Sequence, residues 1–306
     1  MFNRRLMLGF ATGAVAALAS SQSFAQDWKS KYPELIFAAI PAENSSSTSD
    51  RYQPLADYLT KQLGVPVKLE IVADYAGVIE GQRSGQVHIA YYSPASYSRA
   101  YVTGVKAEPF AEEVNADGTK GYYSVFYVNK DSPYRTIQDL KGKALGLVDP
   151  NSTSGNNVPR YALYKLGIHA DKFFSKVIYT GSHENAIIAL HDGTVDVAAN
   201  FWNSDEESNL KRMEIKGTPG IKYSDYRIIF KSDPIVNSPI AYLSDLPDDL
   251  KKAIREAFYD MEKNDKAAFE KFSAGRYRPW VPVDHKEYES TVELIKFVDE
   301  LRKKRS

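Results

Sequence analysis

Cysteine is absent from the 306 residues, so the fold owes nothing to disulfides and must rest on a core, which a chain of this size can build. An excess of charge of either sign is also missing. With 39 Lys and Arg against 39 Asp and Glu, there is no electrostatic case for nucleic acid or a membrane surface as partner. Histidine is sparse, and His88, His169, His183, His191 and His285 are scattered without metal-ligand spacing. After the first 25 residues no stretch is long and apolar enough for a transmembrane helix. No repeat with a period of roughly 20–50 residues is present, which excludes solenoids.

What is there begins with an export signal. Arg4 and Arg5 form a basic start, Leu6 to Leu18 is largely apolar and uncharged, and Ser23-Phe24-Ala25 supplies small residues at a cleavage site before Gln26. The apolar run is too short to span a bilayer comfortably. The paired arginines match the twin-arginine signal only weakly, and without Cys at the cleavage site there is no lipid anchor. Removing residues 1–25 takes away two Arg and no acid, leaving 37 basic against 39 acidic residues. The expected location is the periplasm. A mature chain of about 280 residues favours two domains over one. Twenty-one Tyr and three Trp are ample to line a cleft.

The rest is organised around Asp149-Pro150-Asn151-Ser152-Thr153-Ser154-Gly155-Asn156-Asn157-Val158-Pro159. A short apolar strand, Ala144 to Val148, precedes it, and apolar residues at helical spacing, Tyr161 to Leu166, follow. Strand, tight turn and hydroxyl-rich helix start present unpaired N–H groups to an anion. An ordinary capped turn is the plain alternative, but three adjacent hydroxyls exceed what one cap needs. No Lys stands where a nucleotide P-loop needs one.

Strand alternates with helix along the chain: Leu35 to Ile40, Tyr52 to Leu63, Val67 to Val72, a helix opened by Asp74-Tyr75-Ala76-Gly77, then Val87 to Tyr92. Mostly parallel sheets of an α/β protein follow from this order. Pro41 to Asp50 reads as a polar loop whose hydroxyls, Ser45 to Ser49, are a possible second set of donors. Tyr122 to Asn129 reads as a long strand, and a new set of units follows through Val195 to Ala199 and Tyr226 to Phe230. Two apolar stripes at helical spacing, from Leu250 to Met261 and from Val292 to Leu301, are core-facing. Crossovers near Tyr127–Asn129 and Phe230–Asp233 divide the chain into two lobes joined by a hinge, one of residues 26–127 and 231–306, the other of residues 128–230.

Several motifs coincide in order. They are Asp74-Tyr75-Ala76-Gly77-Val78-Ile79, Gly121-Tyr122-Tyr123-Ser124-Val125, Val128-Asn129-Lys130-Asp131-Ser132-Pro133, the hydroxyl loop, and Ser182-His183-Glu184-Asn185-Ala186. Together they resemble the periplasmic phosphonate-binding proteins of ABC importers over nearly all of the mature chain. The resemblance implies a type II periplasmic binding protein with the ligand in a cleft between the lobes, acting as a monomer with a membrane permease and needing no cofactor or metal. It also implies that Ser152, Thr153 and Ser154 hold the phosphonate oxygens. His183 would donate to the same group, the anion favouring its charged form. Tyr75 would add a phenolic donor from the other lobe, and Tyr92 a wall or donor.

The far end of the site decides the ligand. Asp205, with Glu206 next, is the best match to a family carboxylate that meets the ammonium of 2-aminoethylphosphonate, and Trp202 would assist through its ring. A second family carboxylate is replaced by Ser238. The alternative is a smaller anion such as phosphite, with Phe201 and Trp202 narrowing the pocket. A hydrolase of phosphorus esters is the rival class, with His183 beside Ser152 as base and nucleophile. No nucleophile-elbow pattern surrounds the serines.

Overall fold

The computed structural model describes residues 27–303; the expected export signal lies outside the described residues. Twelve strands form two sheets among them. The first contains β1 (Leu35–Ala39), β2 (Val67–Ile71), β3 (Ile89–Tyr91) and β4 (Ala107–Asn115). The second contains β5 (Tyr123–Asn129), β6 (Ala144–Leu147), β7 (Lys176–Tyr179), β8 (Val197–Ser204), β9 (Glu207–Ser208) and β10 (Tyr226–Lys231). The chain then returns to the first sheet with β11 (Pro239–Leu243) and β12 (Tyr277–Pro282). Strand order is β12-β4-β11-β3-β1-β2 in one lobe and β10-β5-β8-β6-β7 in the other, with β9 beside β8.

The sheets are mixed, which refines the expectation of mostly parallel pairing. The pairs β1–β2, β1–β3, β6–β7 and β6–β8 are parallel. Antiparallel pairs such as β11–β3, β4–β11, β5–β8 and β5–β10 flank them. Parallel neighbours need a crossover helix between them, whereas a strand arriving from the other lobe can enter in the opposite sense. Because β5 pairs wholly within the second sheet, the first crossover precedes Tyr123 rather than falling near Tyr127–Asn129. Tyr122 and Ile235 exchange two backbone hydrogen bonds (2.9 and 2.8 Å), tying the two crossovers together.

The first long helix runs Ser45–Leu63 rather than from Tyr52. Asn44 accepts from the Ser47 N–H as its cap, and Gly64 ends it at φ 66°, a conformation that costs glycine little. The hydroxyl run expected as a loop is thus its first turn. Tyr52, Leu55, Tyr58, Leu59 and Leu63 are its buried face. They join Phe37, Ile89, Ile240, Phe258 and Phe272 in a core that continues to Val125 and Tyr127 on one face of the second sheet. Phe126, Val128, Leu145, Leu147, Leu163 and Val197 fill a separate core on that sheet's opposite face. The C-terminal helix Glu289–Lys303 pairs Asp299 with Arg99 of the first lobe. Its Phe297 ring lies 5.4 and 4.9 Å from Tyr161 and Tyr164 of the second lobe.

Candidate functional site

Between the two sheets lies a cleft of about 540 Å³, part of it open to solvent. Ser152, Thr153, Ser154, His183 and Tyr75 all line it. The hydroxyl loop leaves β6 at Leu147, and Ser152 caps a wide π-type turn over Thr153–Asn157 that leads into the helix Val158–Lys165. Asn156 and Asn157 brace the turn by donating to the Pro150 carbonyl (2.9 and 3.0 Å). Gly155 is required by close approach, because a Cβ there would stand 2.4 Å from the Val148 Cβ. Ser152 Oγ accepts from the Gly155 N–H at 3.1 Å. Thr153 Oγ1 accepts from the Ala95 N–H of the first lobe at 2.8 Å. Each oxygen thus accepts one backbone N–H, and each hydroxyl also meets a phenol of the cleft, Ser152 that of Tyr75 and Thr153 that of Tyr122. Burial pushes the phenols of Tyr75 and Tyr122 up, with the loop hydroxyls opposing, so both stay protonated as donors.

His183 opens the helix His183–His191, whose cap Ser182 accepts from the Asn185 N–H. Its own N–H donates across the cleft to the Ala42 carbonyl at 3.0 Å. The protein surroundings work against the charged imidazole expected beside an anion. Burial lowers its pKa to about 3; the Asn200 hydrogen bond and Glu43 oppose this and Arg212 adds to it. The ring is neutral near pH 7, in T-shaped contact with Phe201 at 5.1 Å.

At the end away from the loop the structure differs from the sequence reading. Tyr92 is turned from the cleft, with its hydroxyl donating to Gln82 Oε1 at 2.9 Å; its neighbour Tyr91 lines the wall instead. Trp202 stands beside Tyr123 at 5.8 Å and donates its indole N–H to Tyr223 at 3.3 Å. Its neighbours Phe201 and Asn203 line the cleft. Successive side chains of a strand face opposite ways, so a choice one residue off lands on the wrong side. Asp205 accepts from Tyr223 at 2.8 Å, and Glu206 lies in a separate outer groove with Asp117 and Arg276. Both sit in the tight β8–β9 connection, which carries them outward. None of Ser45 to Thr48 lines the cleft; the Ser47 hydroxyl donates to Glu184 at 3.2 Å.

The carboxylate in the cleft wall is Glu113, at the end of β4. It accepts from Arg51 at 2.7 Å and from the Tyr91 hydroxyl at 2.9 Å. Burial pushes its pKa up, with Arg51 and Tyr91 opposing. Arg212 also reaches the wall, held by Glu43 (3.1 Å), Glu207 and the Tyr277 hydroxyl (2.7 Å). Asn203 donates to Asn115 across the cleft at 3.2 Å, and Asn237 and Ser238 complete this end. The signal that could have found Glu113 was a pair of acids inside the apolar stretch Phe110-Ala111-Glu112-Glu113-Val114. Acids in a buried strand need partners and are often functional.

Two lobes, two crossovers and a donor-lined cleft between them define a type II periplasmic binding protein for a small oxyanion. The chain matches, over residues 37–288, the family described as ABC transporter, phosphonate, periplasmic substrate-binding protein. It belongs to that family. It is 33% identical over 250 residues to the phosphonates-binding periplasmic protein of Escherichia coli (strain K12), covering 80% of this chain and 71% of that one. It is 32% identical over 244 residues to the phosphate-import protein PhnD of Mycolicibacterium smegmatis, covering 76% and 74%. The crystal structure of a binding protein component of an ABC phosphonate transporter from Pseudomonas aeruginosa superimposes with a TM-score of 0.78 at 29% identity, covering 88% of each chain. The family consists of substrate-binding transport proteins, not enzymes, which removes the hydrolase reading. The chain is thus the periplasmic phosphonate-binding component of an importer, working with a membrane permease.

Proposed function

We propose that the ligand is 2-aminoethylphosphonate, with its phosphonate on Ser152, Thr153 and Ser154 and its ammonium toward Glu113. The observation that carries this is the Glu113 carboxylate in the cleft wall, with the Tyr91 and Tyr277 rings beside it. An ammonium entering a closing cleft must exchange its water for a carboxylate or aromatic faces. On this reading residues 1–25 are cleaved on export and the mature protein acts as a monomer. Phosphite, or another small phosphorus oxyanion, is the second reading. Arg212 in the same wall favours it, since a guanidinium there repels an ammonium.

Parallel calorimetric titration with 2-aminoethylphosphonate, methylphosphonate, phosphite and phosphate tests the choice. Glu113→Gln keeps the shape and removes the charge, so it should cost the amine far more than methylphosphonate. The difference should be on the order of 2–5 kcal/mol if the pair is desolvated. Equal losses, or a wild type that does not prefer the amine, would move the assignment to phosphite.

A further inference from the structure

The orientation of one buried amide decides what His183 can offer a ligand. Asn200 is fully buried. Its Nδ2 donates to the His183 carbonyl at 2.9 Å, and its Oδ1 accepts from the Phe201 N–H at 2.9 Å. Flipping the amide would set NH₂ against N–H and oxygen against oxygen, so the backbone fixes which end is which. His183 Nδ1 lies 3.0 Å from that same Oδ1. Since Oδ1 can only accept, Nδ1 carries the proton, and in a neutral ring Nε2 is then an acceptor.

Charged groups reach the ring from several elements. Arg212, from the helix Asn209–Ile215, opposes a positive imidazole, whereas Glu43 of the first lobe favours one. Glu43 is itself held by Arg212 and Lys216. Glu184, the next residue, accepts from the Asn44 N–H and from Lys216. Across the cleft Glu113 accepts from Arg51, and in the hydroxyl loop of the same lobe as His183, Asp149 accepts from the Asn151 N–H at 2.7 Å. Each of these carboxylates already has a cation or N–H partner, and burial keeps the ring neutral.

A fully ionised phosphonate offers acceptors only and would set an oxygen against the lone pair of Nε2. A phosphonate that keeps one proton has a P–OH to donate there. We propose that the cleft takes its ligand as the phosphonate monoanion, the P–OH donating to His183 Nε2 and the other oxygens accepting from Ser152 and Thr153. This rests on the phosphonate reading but not on the amine, so methylphosphonate is the probe.

The experiment is calorimetric titration of methylphosphonate across the ligand's second ionisation. Affinity should be level below that pKa and fall about tenfold per pH unit above it, with uptake of one proton per complex. Proton uptake alone would also fit an imidazolium against a dianion, so nitrogen-15 spectra of the complex must locate the proton. They should show a neutral His183 protonated at Nδ1. Methanesulfonate, a monoanion of similar shape with no proton to donate, should bind at least tenfold more weakly. In His183→Gln, whose amide can donate as well as accept, the pH slope should flatten. An imidazolium signal, a level profile, a slope unchanged in His183→Gln, or methanesulfonate binding as tightly as methylphosphonate would each overturn the proposal. Absence of binding at every pH by both methylphosphonate and 2-aminoethylphosphonate would overturn the phosphonate reading with it, whereas binding of either without a slope overturns this inference alone.

Discussion

Glu43→Gln probes the bonds that hold the two lobes together. Glu43 is 5% exposed and belongs to the first lobe, whereas its partners Arg212 (3.1 Å) and Lys216 (2.9 Å) belong to the second. These contacts bridge the two lobes, so opening of the cleft would have to break them. Burial alone would raise the Glu43 pKa, but Arg212, Arg51 and Lys216 outweigh it and bring it from 4.5 to about 2. A shift of that size corresponds to about 3 kcal/mol favouring the ionised form. Its sign follows from the depression: the contribution is complete above pH 4.5 and drains away as pH falls toward about 2. Removing the charge leaves Arg212 short of a partner, so closure should weaken by about 3 kcal/mol and ligand affinity by about a hundredfold. Because each lobe keeps its own sheet, Tm should move far less than affinity does. Titration of methylphosphonate at neutral pH, beside a melting curve, reads both quantities. Affinity within twofold of wild type would refute the reasoning, as would a Tm loss large enough to account for the whole effect.

Three further outcomes follow from the site. Ser152→Ala or Thr153→Ala should weaken every phosphonate alike by tenfold or more, since a hydrogen bond to a charged group is worth roughly 1.5–3 kcal/mol; calorimetry showing unchanged affinity would move the anion site elsewhere. Gly155→Ala forces a Cβ against Val148 and should cost about 1–3 kcal/mol of stability, seen as a lower denaturation midpoint together with lost binding. Asp205→Asn and Trp202→Phe lie outside the cleft wall and should leave affinity within about twofold of wild type in the same titration.

The hydroxyl loop was legible because its signal is local: strand, hydroxyls, glycine and helix follow one another in the chain, and one turn brings their donors together. The alternation of strand and helix was legible for the same reason. What sequence did not resolve was facing. Tyr91 and Tyr92, like Phe201, Trp202 and Asn203, are adjacent residues in extended backbone, and their sides are set by sheet pairing across the chain. The far wall posed a different problem. Glu113, Arg212 and Tyr277 are remote in sequence, and only the return of the chain through β11 and β12 places them together. What works against charge on His183, its burial and the approach of Arg212 from a remote helix, is signalled nowhere near the Ser182-His183-Glu184 motif.

Phe297 gives the back of the molecule a share in what happens at the front. The helix that carries it is continuous with the first lobe, yet its ring rests on Tyr161 and Tyr164, which belong to the helix growing out of the hydroxyl loop. Any rotation that draws this loop away from the first lobe must slide the tyrosines along that ring. The aromatic seam and the hydroxyl loop are thus two ends of one rigid piece, so neither end can shift without the other.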